Sequence, residues 1–410
     1  MKKSIAILTG GGPAPGMNAV VGSVTKIFLK KGYRVIGMHC GYSGIFSKNP
    51  RVEEMTDTIA EEIFTRGGSY LKMSRFKPTD KDFEENFNLD FFVSNNIQLL
   101  ITVGGDDTAS TANRISRFLD EKQYHIANIH VPKTIDNDLP LPMGTNTFGF
   151  QTAQNAGTSI AKTVMTDAQT SENWFIIAAM GRSAGHLALG IGSASQCPMI
   201  IIPEIFNKTE ITLEKILKLI VSCIVKRTMI GKNYGAIMIS EGVFHALDED
   251  EMINSGITFS YDEHGHPELG KVSKAVIFNT MFEQRAKELG LKVKSRPVEI
   301  GYEVRCVDPI AFDLNYCAAL GHGAMKLYEA GISGCMVYID SIGNASPLYL
   351  KDLQDKETGK INPRLVNVNS DRIRYIVTEG VDYICEADYE EASKFIPNPE
   401  EYDYYKILNW

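Results

Sequence analysis

Gly104-Gly105-Asp106-Asp107-Thr108 follows the apolar run Leu99-Leu100-Ile101-Thr102-Val103 and opens onto a helical pattern. A strand that ends in two glycines and two carboxylates at a helix start is the arrangement from which this fold is read. The next apolar run, over 126–131, is followed by Pro132-Lys133-Thr134-Ile135-Asp136-Asn137-Asp138, and a third, over 174–179, by Met180-Gly181-Arg182. Further strand-like runs stand at 4–9, 33–40, 199–202, 236–240 and 335–339, with helical patterns between most of them, the first over 16–31. This alternation predicts an α/β protein with parallel sheet. Ligands of such sheets gather at the carboxyl ends of strands, and that is where the glycines and charged groups fall.

The 410 residues, 44% hydrophobic and 22% charged, suit one large or two medium domains with ample core. A net charge of -8 argues against a nucleic-acid surface, so any phosphate affinity rests on local lysines and arginines. Seven cysteines stand without a CxxC pair, which predicts reduced and mostly buried thiols. No run reaches the roughly 18 apolar residues of a membrane span, and the start is too short for a signal peptide, so a cytoplasmic enzyme without membrane partners is expected. Repeats and low-complexity tracts are absent from the sequence. The polar stretch 247–271 and the charged stretch 351–364 read as additions to a compact core. The tail 389–410 is acidic and tyrosine-rich, and its sequence fits packing on the body as well as a role in assembly.

The chemistry of the three loops is that of phosphoryl transfer. Thr9-Gly10-Gly11-Gly12-Pro13-Ala14-Pro15-Gly16 joins the first strand to the first helix. Pro15 occupies a glycine position of the dinucleotide fingerprint and GxxxxGK[ST] is absent, leaving a helix N-terminus with bare amides as an anion site. Asp106 and Asp107 can hold magnesium through water or simply cap the helix behind them. Asp136 shares a face with Thr134 if the loop is extended, and its carboxylate can take a proton from an attacking alcohol. Lys133 and Arg182 can offset charge on the transferred group, although taken alone Lys133 can be a solvated loop lysine and Arg182 a surface helix cap. The conjunction favours the chemical reading.

The sequence closely resembles the phosphofructokinase family over most of its length. The resemblance is carried by 10–18, by Arg66-Gly67-Gly68-Ser69 with Arg75-Phe76, by the Gly104 and Pro132 segments, by 147–153 and by Met180-Gly181-Arg182. It continues through Pro203-Glu204, Glu241, Arg296 and Gly301-Tyr302-Glu303-Val304-Arg305. It implies two Rossmann-like three-layer α/β/α domains with the active site in the cleft between them. Residues 1–147 with about 304–375 would hold the donor and Mg2+, and 148–303 with about 376–410 the sugar phosphate. Asp136 would be the base for the 1-hydroxyl of fructose 6-phosphate, with Thr134 and Lys133 beside it, Asp106 the metal ligand, and Arg182 the partner of transition-state charge. The donor would meet Gly11, Gly12, Arg75, Gly105, Asp107, Thr108 and Lys133. The sugar phosphate would meet Thr134, Asp136, Asp138, Met180, Gly181, Arg182, Glu241, Tyr302 and Arg305. Arg296 would arrive from a neighbouring subunit, which implies a homodimer or homotetramer with shared sites.

The resemblance also speaks to the donor. ATP-using members carry glycine where this chain has Asp107, because the nucleotide needs that room, and Lys133 is typical of members that use pyrophosphate. Like charges near 4 Å repel by about 1–4 kcal/mol, which with steric exclusion selects pyrophosphate. A reversible transfer to O1 of fructose 6-phosphate, serving glycolysis and gluconeogenesis, is the expectation; ATP as donor, or sedoheptulose 7-phosphate as acceptor, are the alternatives. Gly22, Lys26 and Thr166 stand where allosteric members carry arginines, so nucleotide control is not expected. Asn173 replaces a sugar-phosphate arginine, Tyr302 a histidine, and Cys306 and Val307 two glycines. A non-catalytic relative would have lost Asp106 or Asp136, and diacylglycerol and NAD kinases, which share a GGDG-type loop and a related nucleotide-binding architecture, would lack the segments at 132–138 and 301–305.

Overall fold

The computed structural model describes residues 2–142, 144–254, 272–355, 357 and 361–410. Most of the polar stretch at 247–271 and part of the charged stretch at 351–364 lie outside the described residues. The chain divides into two units, Met1–Ala153 with Tyr302–Arg364 and Gln154–Gly301 with Leu365–Trp410. The resemblance implies crossings near 147, 303 and 375.

In the first unit, β1 (Ser4–Thr9), β2 (Arg34–Met38), β3 (Val52–Glu54), β4 (Ile97–Gly104) and β5 (Ala127–Pro132) are joined by β10 (Cys335–Ile339) and β11 (Ala345–Tyr349). Their order is β11-β10-β5-β4-β1-β2-β3. The five central strands pair in parallel, while β3 and β11 are antiparallel edges, which qualifies the expected all-parallel sheet. Both edges are polar or interrupted, by Glu53 and Glu54 in one and Pro347 in the other, so neither reads as a strand from sequence. β2 is shorter than 33–40 because the chain turns at Cys40 (φ 64°) and Gly41 (φ 57°).

Alternate residues serve opposite faces of this sheet. Ile5, Ile7, Leu99, Ile101, Val103, Ile129 and Val131 pack with Met17, Val20, Val24 and Phe28 of the helix Met17–Lys30 and with Cys317, Leu320 and Ala324 of Ala311–Glu329. Ala6, Leu8, Ile36, Met38 and Leu100 pack with Ile115 and Leu119 of Asp106–Glu121 and with Phe83 and Phe92. Helices thus cover both faces, the three-layer arrangement that nearly continuous apolar strands require. The chain leaves β1 for β2 on one side and returns to β4 on the other, so the switch point of the sheet lies between β1 and β4.

The second unit has β6 (Trp174–Ala179), β7 (Met199–Ile201), β8 (Gly235–Ser240) and β9 (Ser295–Ile300) in the order β7-β8-β6-β9, all parallel. Every residue of β6 and β8 is buried. The tail packs on this unit: Tyr404 is fully buried, stacks on Tyr383 at 4.3 Å, and its hydroxyl donates to Val377 O at 2.6 Å. Four of the seven cysteines are buried and Cys306 is exposed; all seven are free thiols.

One buried carboxylate organises the start of the helix Phe150–Ser171. Asp313, with no exposed surface, accepts from Gly149 N at 2.9 Å, Thr152 N at 2.8 Å and Thr152 Oγ1 at 2.5 Å. An acid at a helix N-terminus satisfies amides that have no partner within the helix. Asp313→Ala is expected to strand these three donors and cost about 3 kcal/mol, read as a melting temperature lower by several degrees. Asp313→Asn should lose less, because one acceptor remains.

Candidate active site

Parallel register places three loops of the first unit side by side, since Thr9 pairs with Val103 and Gly104 with Pro132. The turn after β1 carries Gly11 (φ 80°) and Gly12. A β-carbon on Gly12 would fall 2.0 Å from Arg305 Nη2, so only glycine admits the guanidinium there. Arg305 Nε donates to Pro13 O at 3.3 Å, and its guanidinium lies 5.2 Å from the ring of Tyr302, which is 71% exposed. Arg75 is exposed, with Nη2 3.6 Å from the same β-carbon position. Arg305 therefore stands with the groups expected to meet the donor. The amide of Gly11 already donates to Ser74 O at 3.0 Å and that of Gly10 to Val103 O at 2.8 Å, so these two amides are spent within the protein.

After β4, Gly105 is the residue before the helix Asp106–Glu121, and both aspartates lie in its first turn rather than at the cap position. Acids there favour the helix through its dipole. Asp107 pairs with Lys77 at 2.8 Å across exposed surface. Thr108 is buried against Gly10 and Gly104, and its carbonyl accepts from Tyr42 Oη at 2.7 Å.

After β5, Lys133 is only 7% exposed. Burial pulls its pKa down to about 8, the nearby Asp136 opposes this, and Arg305 adds to it; Asp138 and Asp106 also favour the charged form. Burial, then the charge of Asp106, raises the pKa of Asp138, while Lys133 lowers it. The loop is not extended. Asp136 N donates to Thr134 Oγ1 at 3.0 Å and Asn137 adopts φ 55°, so Thr134 and Asp136 are related by a local turn instead of a shared strand face.

His130, in the middle of the buried β5, is a group that the sequence reading passes over. Its Nε2 lies 3.0 Å from Gly104 O and its Nδ1 2.9 Å from Thr102 Oγ1. A carbonyl only accepts, so Nε2 carries the proton and Nδ1 accepts from the threonine hydroxyl. The same Gly104 O accepts from Lys133 N at 2.8 Å, which ties the Gly104 loop to the Lys133 loop. A polar residue inside an apolar strand was the available signal. Lys77 gave none, since its partner is 30 residues away.

In the second unit, Met180-Gly181-Arg182 follows β6, with Met180 N donating to Ile300 O at 3.0 Å and Arg182 exposed. Gly181 has φ 129° and its carbonyl accepts from Ser240 Oγ at 3.2 Å. The buried carboxylate of Glu204 accepts from Gly185 N and Val366 N, both at 3.0 Å, bracing this loop from behind. Glu241 follows β8 and is held by Lys274 at 3.2 Å and His245 at 3.3 Å. Burial disfavours its charge, but His245 and Lys274 win and hold the carboxyl at about 2. Lys274, itself buried, was not foreseen. Arg296 is exposed on β9, and Asn173 Nδ2 is occupied with Ser171 Oγ at 2.8 Å.

Asp106 and Asp138 are close enough for their like charges to oppose each other. Among the described residues no group of three or more metal-ligating side chains is present. That is compatible with magnesium, which keeps several waters and uses one or two carboxylates plus substrate phosphate. No helix among the described residues is long and apolar enough to cross a membrane.

The chain is a phosphotransferase enzyme with glycine and carboxylate loops at its strand ends, as its relatives show. The sequence model of phosphofructokinase matches residues 4–328, and the chain belongs to that family. It is 37% identical over 377 residues to a pyrophosphate–fructose 6-phosphate 1-phosphotransferase of Naegleria fowleri, covering 90% of this chain and 85% of that one. A protein of the same name from Thermotoga maritima is 37% identical over 379 residues, 91% of this chain and 89% of the other. The crystal structure of a pyrophosphate-dependent phosphofructokinase from Marinobacter aquaeolei superposes with a TM-score of 0.68 at 20% identity, over 97% of this chain and 92% of that one, a likeness of fold. Phosphotransferases of this family generally use a divalent metal.

His130 makes acid stability a test of this geometry. Burial first, and then the charge of Lys133, pulls its pKa from 6.5 to about 3. The unfolded chain takes up this proton below about 6.5 while the folded one does not, so the contribution of His130 is complete above that pH and fades as pH falls toward about 3. The melting temperature of the wild type should therefore fall more between pH 6.5 and 4 than that of His130→Gln. Parallel curves would mean that His130 does not remain neutral in the fold.

Proposed function

We propose that this chain transfers a phosphoryl group from pyrophosphate to O1 of fructose 6-phosphate, reversibly. The observation that carries the donor is Asp107, in the first turn of the helix behind Gly104-Gly105 and paired with Lys77. A carboxylate at that point takes the room a nucleotide's α-phosphate needs and repels it. The 37% identity to two proteins named for pyrophosphate as donor supports the same reading.

In this mechanism Asp136 takes the proton of the sugar's 1-hydroxyl as that oxygen attacks the distal phosphorus of pyrophosphate. The phosphoanhydride P–O bond breaks, and the leaving phosphate carries its charge among Lys133, Arg75 and Arg305. Lys133 sits in a buried site, where its charge acts with little screening. Thr134 fixes the amide of Asp136 and so the direction of the carboxylate. Magnesium beside Asp106, with Asp138 nearby, would supply positive charge to the diphosphate. Met180, Gly181, Arg182 and Glu241 would receive the sugar phosphate, with Tyr302, and Arg296 would serve a neighbouring subunit's site in a homodimer or homotetramer. Glu241 meets the sugar as a fixed carboxylate, since Lys274 and His245 keep it ionised.

An unregulated, cytoplasmic enzyme is part of this proposal. A β-carbon on Gly22 would fall 2.8 Å from Ala60 O, and Lys26 is engaged by Glu61 at 2.8 Å, so neither position offers a free cation to an effector phosphate.

The deciding experiment is a coupled assay with fructose 6-phosphate and magnesium, offering pyrophosphate or ATP as the only donor. Turnover with pyrophosphate alone is expected, and turnover with ATP alone would overturn the donor assignment. Asp107→Gly should gain measurable ATP use; if ATP stays inert, Asp107 is not the gate.

Lys133 predicts an alkaline limit. With its pKa near 8, the free enzyme loses this charge as pH rises through that value, so kcat/KM for pyrophosphate should fall above about pH 8. Lys133→Arg, if active, should remove that limb, because arginine stays protonated.

A further inference from the structure

The stretch 351–364 reads in sequence as a charged addition, yet its last residue reaches the loop that bears Asp136 and Asp138. Arg364 uses all five of its side-chain N–H groups on this loop. Nε and Nη2 donate to Asn137 O at 3.3 and 2.9 Å, and Nη2 also to Asn137 Oδ1 at 2.6 Å. Nη1 donates to Leu141 O at 3.2 Å and to Thr145 O at 2.7 Å. The backbone amide of Arg364 adds a bond to Asp138 O at 2.6 Å.

The held residue is the one that sets the direction of both carboxylates. Asn137 is in the left-handed region, φ 55°, and its peptide connects Asp136 to Asp138. Its side chain is committed as well: Oδ1 also accepts from Thr147 N at 3.1 Å, and Nδ2 donates to Asn146 Oδ1 at 3.1 Å. On the apolar side of the loop, Leu139 and Leu141 pack with Leu350 and with Ile361, three residues before Arg364. The segment thus grips the loop by a polar and an apolar contact at once. Arg364 lies beyond the residues 4–328 that match the family pattern, so it is not one of the residues by which the family is recognised.

We propose that Arg364 is a positioning residue for phosphoryl transfer, holding Asp136 and Asp138 in working geometry by clamping the Asn137 peptide. The proposal rests on Asp136 acting as the base. The role needs arginine. Only a planar fork with five donors meets four acceptor atoms spread from Asn137 to Thr145, whereas a lysine ammonium has three donors at one point. Without the clamp the carbonyls of Asn137, Leu141 and Thr145 lose a charged donor, and the loop gains freedom where the proton must be taken. A displacement of about 1 Å at such a site costs roughly 10²-fold in rate.

The test is Arg364→Ala in the full chain, assayed with pyrophosphate and fructose 6-phosphate. The expected result is a kcat lower by roughly 10²-fold, KM values for both substrates within about threefold of wild type, and partial recovery of kcat with added guanidinium but not with methylammonium. A merely structural role would lower the fraction folded, leaving kcat per folded molecule unchanged and unresponsive to guanidinium; that result overturns the proposal. If Arg364→Ala does not fold, Arg364→Lys is judged on the same kcat and KM criteria, with an unchanged kcat again overturning the clamp. Asp136→Asn, run alongside, separates the two readings. An Asp136→Asn enzyme with full turnover would show that the base is misassigned and overturn this role of Arg364 with it, whereas an inert Asp136→Asn beside a fully active Arg364→Ala overturns the clamp alone.

Discussion

Parallel pairing of β1, β4 and β5 is the constraint on which the first unit's site depends. Parallel neighbours point the same way, so the loops leaving Thr9, Gly104 and Pro132 emerge at one edge of the sheet whatever their sequences. The glycines then allow close approach: Arg305 against Gly12, and Thr108 against Gly10 and Gly104. His130 and Lys133 N share the carbonyl of Gly104, so the second and third loops are also joined by hydrogen bonds at their roots. A shift of one strand would move all of these groups together, which makes the register itself a part of the site.

That edge collects charges that oppose burial. Lys133 is enclosed among Asp106, Asp136 and Asp138, with Arg305 adding to the positive side. The lysine loses basicity to burial and the Asp138 carboxyl loses acidity to burial and to Asp106. Neither charge is at its lowest energy in the free protein. An anionic donor with its cation would relieve both strains, since it brings negative charge to the lysine and positive charge to the carboxylates.

Much of this was legible from the chain. Central strands announce themselves as apolar runs because both faces are covered, and the glycines and acids after them mark strand ends. The antiparallel edges were not legible, since Val52-Glu53-Glu54 and the Pro347 strand carry no periodic signal, and β9, with Arg296 and Pro297, is likewise too polar. Within the site, Asp106, Asp107, Lys133 and Asp136 stand out by their neighbours in sequence. Lys77, Lys274, Asp313 and Arg364 do not, because each acts on residues far along the chain, and such contacts leave no trace in local spacing. The turned conformation at Asn137 was also missed: alternation of Thr134, Asp136 and Asp138 looks like a strand, but the Thr134 hydroxyl captures the Asp136 amide.

The two most distant of these helpers share a physical reason. Among the described residues from Lys133 to Gly149, the first unit's chain has no ladder or helix to absorb its peptide groups apart from a bridge between Lys133 and Phe148. Buried backbone polar groups still require partners. Arg364 supplies donors to carbonyls at 137, 141 and 145, and Asp313 supplies an acceptor to amides at 149 and 152. An arginine can serve only the carbonyls and a carboxylate only the amides, so the segment is held by opposite charges at its two ends. Burial lowers the pKa of Arg364, and the Asp138 carboxylate opposes that loss, so the charge that orders these carbonyls is itself supported by the loop. A loop fixed in this way can keep carboxylates poised in a buried site without the rigidity of regular secondary structure.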